Sequence, residues 1–319
     1  MTQDDLWMHG ALKPDSPIPD LCDSSIAKDQ AAELMVHQNF NHTTYSLRLI
    51  PQKIWQILLP KTEIDDHYGL VRDTKILQGI ASWLSLNIDY TYTLIGKRRS
   101  DEFVRSRFTH DPRIAKAYNA IANVGMKSDL LRYLILDIEG GVYTDTDTIA
   151  LKPIDNWVDP DLQDQVRLVV GVEYDRMDGD EWNEIPHWLQ FCQWTIAATP
   201  GHPIFREMVA HILQSLEALS HAYRLPIDQI HPTNFEILNS TGPAAWTDVV
   251  FKRLQGYDAR LNSTKDLSFM TEPRLYGDIL VLPIDAFGMG QPHSNSTNNG
   301  TIPARALLKH QFRGSWRED

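Results

Sequence analysis

Two aspartates two residues apart, Asp145 and Asp147, stand in the run Gly140-Gly-Val-Tyr-Thr-Asp145-Thr-Asp147. Paired carboxylate oxygens at that spacing suit Mg2+ or Mn2+, ions that keep phosphate oxygens or waters as further ligands. An acidic turn with no chemistry would carry the same residues, so the pair alone decides nothing. Its surroundings say more. The spacing predicts a helix over Ser128–Glu139, with Ser128 as N-cap and Leu131, Leu134, Ile135 and Ile138 as its apolar stripe. Gly140-Gly141 supplies the stop, and Val142-Tyr143-Thr144 reads as a short strand leading to the aspartates. Asp129 and Arg132 fall at i and i+3 on that helix, off the stripe. They are either a surface ion pair in the first turn or a pair directed at the crevice beside Asp145. Open α/β sheets bind their ligands in such a crevice, past the carboxyl ends of the strands.

The elements that must position these residues alternate. Leu49–Leu58 reads as a buried strand, Gly69–Leu86 as a helix and Tyr90–Ile95 as a strand; helices follow at Asp101–Phe108 and Pro112–Asn123. Further strands are expected at Arg167–Val172 and Ile279–Pro283, and a long helix at Pro203–Leu219. That order predicts an α/β fold with a mainly parallel sheet flanked by helices. Residues 1–45, rich in Pro, Asp and Ser, read as an N-terminal stem or extension, and residues 46–319 as one catalytic domain. Ser294–Thr301 is the one low-complexity patch and reads as a mobile surface loop.

Composition narrows the function classes. The 319 residues carry 30 Lys+Arg against 42 Asp+Glu, a net charge of −12, with 42% apolar residues. Such a chain is neither disordered nor a disulfide miniprotein. Its acidity argues against nucleic acid, and a polyanionic small molecule would need a cation to bind. Of two cysteines, Cys22 and Cys192, the second lies in an aromatic run and reads as a buried inert thiol. No apolar run approaches the roughly 18 residues of a membrane span. Five Asn-x-Ser/Thr sequons, at Asn41, Asn239, Asn262, Asn295 and Asn299, nevertheless point to the secretory pathway and to an anchor absent from this chain.

Several blocks, in one order across residues 49–317, carry a resemblance. They are Ile50-Pro-Gln-Lys-Ile-Trp-Gln56, Lys127-Ser-Asp-Leu-Leu-Arg-Tyr133 and Gly140–Asp147, then Gln190-Phe-Cys-Gln-Trp-Thr-Ile196 with Pro200-Gly-His-Pro203. Thr241-Gly-Pro243, Val281-Leu-Pro-Ile284 and Lys309-His-Gln-Phe-Arg-Gly-Ser-Trp316 complete them. Together they resemble the DXD sugar transferases of glycosyltransferase family 32, most of all its fungal α-1,6-mannosyltransferases. The resemblance implies a GT-A type, Rossmann-like fold, GDP-mannose as donor, Mn2+ as cofactor and retention of the α configuration. It implies a mannose-containing glycan as acceptor, with α-1,6 linkage to an N-glycan core. It also implies a type II membrane protein of the Golgi lumen, with Golgi protein partners.

Carried over by residue, Asp129, Arg132, Asp145 and Asp147 are the catalytic group. Trp55, Gln56, Asp129, Arg132, Asp145, Ser315 and Trp316 contact the donor, and Asp145, Asp147 and His310 hold the metal. The segment with His310, Ser315 and Trp316 would close as a C-terminal lid, while Glu173, Gln190 and Gln193 face the acceptor. Two other readings remain open on sequence. Asp145-Thr-Asp-Thr-Ile149 also fits the Asp-x-Asp-x-Thr pattern of haloacid-dehalogenase-type phosphatases, with Asp145 as nucleophile. A sugar-binding protein with no activity is the other.

Overall fold

The computed structural model describes residues 49–60, 73–181, 185–291 and 294–313. The predicted stem, Cys22, Asn41, Ser315 and Trp316 lie outside the described residues. The first half is built from parallel strands. Strand β1 (Lys53–Ile57) pairs with β2 (Thr91–Ile95) after helix α1 (Thr74–Leu86). Helices α2 (Lys97–Arg107), α3 (Pro112–Ala120) and α4 (Val124–Glu139) then lead to β3 (Gly141–Thr144), which lies parallel on the other side of β1. A strap, β4 (Thr148–Ala150), leaves the sheet directly after the aspartates.

The second half supplies β5 (Leu168–Asp175), β6 (Leu189–Ala198), helices α5 (Pro203–Tyr223), α6 (Asn234–Ser240) and α7 (Pro243–Tyr257), and strands β7 (Arg274–Tyr276) and β8 (Ile279–Leu282). A single-turn helix α8 (Ile284–Phe287) and β9 (Leu308–His310) follow. The seven-stranded sheet runs β2-β1-β3-β6-β5-β8-β7. Five strands share one direction; β6 and β7 oppose their neighbours. It is a mostly parallel, helix-flanked α/β sheet, as the order of elements predicts. β9 pairs antiparallel with β4 in a separate two-stranded sheet.

Helix α4 covers one face of the sheet, with Leu130, Leu131, Leu134 and Ile135 at 0% exposure. It starts one turn earlier than its sequence pattern predicts. Asn123, not Ser128, is the N-cap, its side chain accepting from the Met126 N–H. The helix ends at the expected glycines. Gly140 has φ +59° and Gly141 φ +94°, and a Cβ at either would come within 2.6 Å of neighbouring atoms, Pro200 at the first and the Lys53 carbonyl at the second. No other residue fits that turn.

Strand β6 has no counterpart in the sequence-based expectation. All ten of its residues are buried, so it lacks the in-out alternation that marks a half-exposed strand. Cys192, on this strand, is free and fully buried, as expected. The Ser294–Thr301 patch is tied down in its first half, while residues 298–301 are exposed. Ser294 is fully buried, and the Thr297 N–H and hydroxyl both donate to the Asp285 carboxylate at 2.7 and 2.6 Å.

Candidate active site

The turn after β3 is fixed from below. A Cβ on Gly79 would lie 2.7 Å from the Thr148 carbonyl, so α1 approaches the turn backbone to backbone. The Trp83 indole N–H donates to Thr148 Oγ1 at 3.0 Å, and that hydroxyl donates to the Asp145 carbonyl at 2.7 Å. Thr144 Oγ1 stands 2.8 Å from the hydroxyls of both Thr148 and Thr195. The hydroxyls of Thr144, Thr148 and Thr195 and the Trp83 indole are thus all bonded, which holds the turn that carries the two carboxylates.

One ligand atom each from Asp145, Asp147 and His310 lies within 4.8 Å of the others, and no further such group of three exists among the described residues. His310 Nε2 is 3.0 Å from Asp147 Oδ1, and the Arg313 N–H donates to Asp147 Oδ2 at 3.0 Å. β9 brings His310 there by pairing it with Thr148. The Trp194 ring packs on the imidazole, centroids 4.3 Å apart. Burial pushes the Asp147 carboxyl up, but the His310 hydrogen bond and charge and the Arg313 N–H outweigh it and hold it below its ordinary value. Asp145 is shifted the other way. Burial raises it, Arg132 counters, and the neighbouring Asp147 raises it again. Its Oδ1 accepts from the Tyr143 hydroxyl at 2.5 Å.

Asp129 and Arg132 are not a surface pair. Each is 5% exposed, and Arg132 Nη2 lies 2.8 Å from Asp129 Oδ1 while Nη1 lies 3.7 Å from Asp145 Oδ1. Asp129 also accepts from Gln193 Nε2 at 3.1 Å and from the Thr241 hydroxyl at 2.8 Å. Burial pushes its carboxyl up to about 6, against the pull of Arg132, Thr241 and Gln193. Burial also opposes the Arg132 charge, yet Tyr143, Asp145 and Asp129 together hold that guanidinium above its ordinary value. The guanidinium lies over the Tyr143 ring at 4.7 Å, and its Nε is buried without a partner.

The remaining expected contacts divide. Gln56 is fully buried, with Nε2 donating to the Asp145 carbonyl and Oε1 accepting from the Tyr92 hydroxyl. Both ends are engaged, so it props the turn that carries Asp145. Trp55 donates its indole N–H to the Gly140 carbonyl, at the amino end of β3 and away from Asp145. Gln193, expected on the acceptor side, instead holds Asp129 and accepts from the Tyr133 hydroxyl at 2.7 Å. Glu173 and Gln190 meet each other at 3.2 Å on the adjoining strands β5 and β6. Tyr143, Thr241 and Arg313 were not singled out by role. All three lie inside the quoted blocks, but Arg313 acts through its backbone N–H, which no side-chain pattern signals.

Residues 73–163 match the family described as a glycosyltransferase sugar-binding region containing a DXD motif. The chain is 32% identical over 293 residues to the initiation-specific α-1,6-mannosyltransferase of Schizosaccharomyces pombe, covering 89% of this chain and 69% of that one. It is 33% identical to the protein of the same name from Candida albicans, covering 84% and 72%. Among solved structures, the PaToxG glycosyltransferase is similar at 19% identity and a TM-score of 0.44, over 66% of this chain and 72% of that one. The sequence matches favour a transferase over a phosphatase for the Asp145–Asp147 motif. The chain therefore belongs to glycosyltransferase family 32, the DXD sugar transferases, and is a glycosyltransferase.

Proposed function

We propose that the chain transfers mannose from GDP-mannose, with retention and with Mn2+, to a mannose-containing acceptor through an α-1,6 linkage, the acceptor being an N-glycan core. The names of its relatives support the sugar and the linkage. The observation that carries the chemistry is the Asp145–Asp147–His310 group lying against the buried Asp129–Arg132 pair. Two carboxylate oxygens and an imidazole nitrogen are a donor set suited to a hard or borderline divalent ion. The mutual repulsion that raises Asp145 beside Asp147 is what a cation there would relieve. When bound, the ion neutralises charge that develops on the diphosphate as the glycosidic bond breaks. Asp129 and Arg132 are placed to hold the hydroxyls of the transferred sugar, and Tyr143 orients Asp145 through its hydroxyl. His310, packed against the Trp194 ring, closes the group from the C-terminal side.

A thermal-shift panel tests this reading. GDP at about a hundred times its Kd, with Mn2+, should raise the melting temperature by about 5 °C, from roughly 2.7 kcal/mol of linkage. UDP should raise it far less, and chelation with EDTA should remove the gain. A panel in which no nucleoside diphosphate shifts the melt with Mn2+ would end the proposal. The product linkage is then read by NMR of a mannobioside acceptor.

We also propose that the native protein acts in the Golgi lumen. Glycan occupancy bears on that. Asn299 is exposed, with only its Oδ1 engaged, by Thr301. Asn295 is exposed, but its amide nitrogen is committed to the Asp175 carbonyl at 2.7 Å. Asn239 commits its own to Phe235 inside α6, two residues before the Thr241 that holds Asp129. Peptide mapping after secretion from a fungal host should find Asn299 occupied and Asn239 and Asn295 bare. Full occupancy at Asn239 would contradict its position.

A further inference from the structure

Helix α1 has two faces, and the site accounts for only one of them. Gly79 and Trp83 are its buried positions, and both meet the turn that carries Asp145 and Asp147. On the other side Leu77 is 47% exposed and Leu84 45%. Ala81 is exposed between them. These three stand at i, i+4 and i+7, a single stripe along the helix. Ile88, one residue past the C-cap Asn87, extends the apolar surface and is 83% exposed. Residues 76–88 carry no charged side chain, in a chain where 23% of residues are charged. A solvated helix face is normally polar or charged, whereas exposed apolar side chains in a charge-free stretch are the composition of an interface centre.

The charges that bracket this stretch say what covers it. Lys75 lies in the first turn of α1 and Asp89 in the turn that follows the helix; both are exposed, and neither forms a salt bridge among the described residues. Each stands at the wrong end of its own helix, since the N-terminus carries partial positive charge and the C-terminus partial negative charge. Beside an antiparallel copy of α1 the mismatch disappears. Lys75 then meets both Asp89 and the negative helix end of the copy, and Asp89 meets Lys75 and the positive end. The apolar positions obey the same symmetry. Leu77 falls opposite Ile88 of the copy and Ala81 opposite its Leu84, and every pair is centred on residues 82–83. A two-fold axis there makes each contact twice. The net charge of −12 sets copies of this chain against one another, and the charge-free stripe is a face on which two can approach.

We propose that the chain dimerises through α1, packed antiparallel on the same helix of a second copy about a two-fold axis between Ala81 and Leu84. The stripe from Leu77 to Ile88 is about 16 Å long at 1.5 Å per residue. It covers less than the roughly 1,600 Å² of a standard interface, so the dimer is a weak one, with a Kd of about 10–100 µM. The inner face of the same helix supports the Asp145–Asp147 turn, so pairing fixes α1 from outside while leaving Gly79 and Trp83 in place beneath the turn.

Sedimentation velocity of the whole chain from about 1 to 200 µM tests it, with melting curves on the same samples. The wild type should pass from monomer to dimer across that range. Leu84→Glu, which sets two carboxylates beside the axis, should weaken the dimer by more than about tenfold. Lys75→Glu should weaken it by about tenfold, because like charges then meet at both ends. Lys75→Glu/Asp89→Lys should restore it to within about twofold, a rescue that antiparallel self-pairing requires. Ile88→Asp, outside the helix, serves where Leu84→Glu does not fold. A wild type that stays monomeric at about 200 µM would overturn the proposal, and a lower melting temperature in Leu84→Glu would then show another segment of the same chain covering the stripe. A dimer untouched by Leu84→Glu and Ile88→Asp would overturn it by placing the interface elsewhere. A double variant no tighter than Lys75→Glu would overturn the antiparallel pairing.

Discussion

Asp147→Ala should lower mannosyl transfer by three orders of magnitude or more, the scale expected when a charge-stabilising group is lost from a transferase site. It should also destabilise the protein, because this carboxylate has a second task. It accepts from the Arg313 N–H and meets His310, and so secures the returning C-terminal strand. Losing both bonds at a largely buried position costs about 1–3 kcal/mol. Asp147→Asn separates the two tasks. It keeps an oxygen for the Arg313 N–H and loses the charge, so transfer should fall almost as far while stability nearly recovers. Single-turnover assays with Mn2+ beside melting curves check both arms. Turnover at the wild-type rate in the alanine variant would remove Asp147 from the metal group.

Arg132→Met should produce the largest loss of stability of any substitution at the site, about 3–5 kcal/mol, because it strands Asp129 as a buried, uncompensated carboxylate. The melting temperature should fall by about 5–9 °C. Transfer should be lost as well, since the pair proposed to hold the sugar no longer exists. The pH dependence gives the sign. In the wild type the Asp129 carboxyl is pushed up to about 6 from an ordinary 3.8, so the folded state binds this proton more tightly than the unfolded state does. Its contribution to stability is therefore full below about pH 4 and is lost as pH rises through about 6. Asp147 has the opposite sign: held below its ordinary value, it contributes above that value and its contribution is lost as pH falls. Without Arg132 the upward push on Asp129 grows, so the variant should regain stability on acidification, and Asp129→Asn/Arg132→Met should recover much of it at neutral pH. Denaturant titrations between pH 4 and 8 test this. A flat difference between wild type and Arg132→Met across that range would contradict the buried pair.

Much of the sheet's first half was legible because its signals are local. The apolar stripe of α4, the paired glycines and the short strand before Asp145 each follow from a few adjacent residues. Even there the helix start was misplaced, since Ser128 and Asn123 are both good caps and only the packed structure selects Asn123. Strand β6 was not legible, because a strand buried on both faces has no period to detect. Its two glutamines show the limit for the site. Gln190 and Gln193 look alike in sequence, yet one is bonded to Glu173 and the other to Asp129. Trp55 shows the same limit, since strand position alone could not tell which end of β3 its ring would reach.

The hydrogen bond between Asp147 and His310 spans 163 residues of chain. During synthesis, at roughly 5–20 residues per second, that separation is on the order of 10–30 s. For that interval the nascent protein can form β1, β2 and β3 and expose both aspartates, but it lacks the third ligand. β6, which must insert between β3 and β5, is also made some fifty residues after the turn it supports. The Asp145–Asp147–His310 group is therefore among the last features to assemble, and a partly made chain lacks the complete ion site proposed for it.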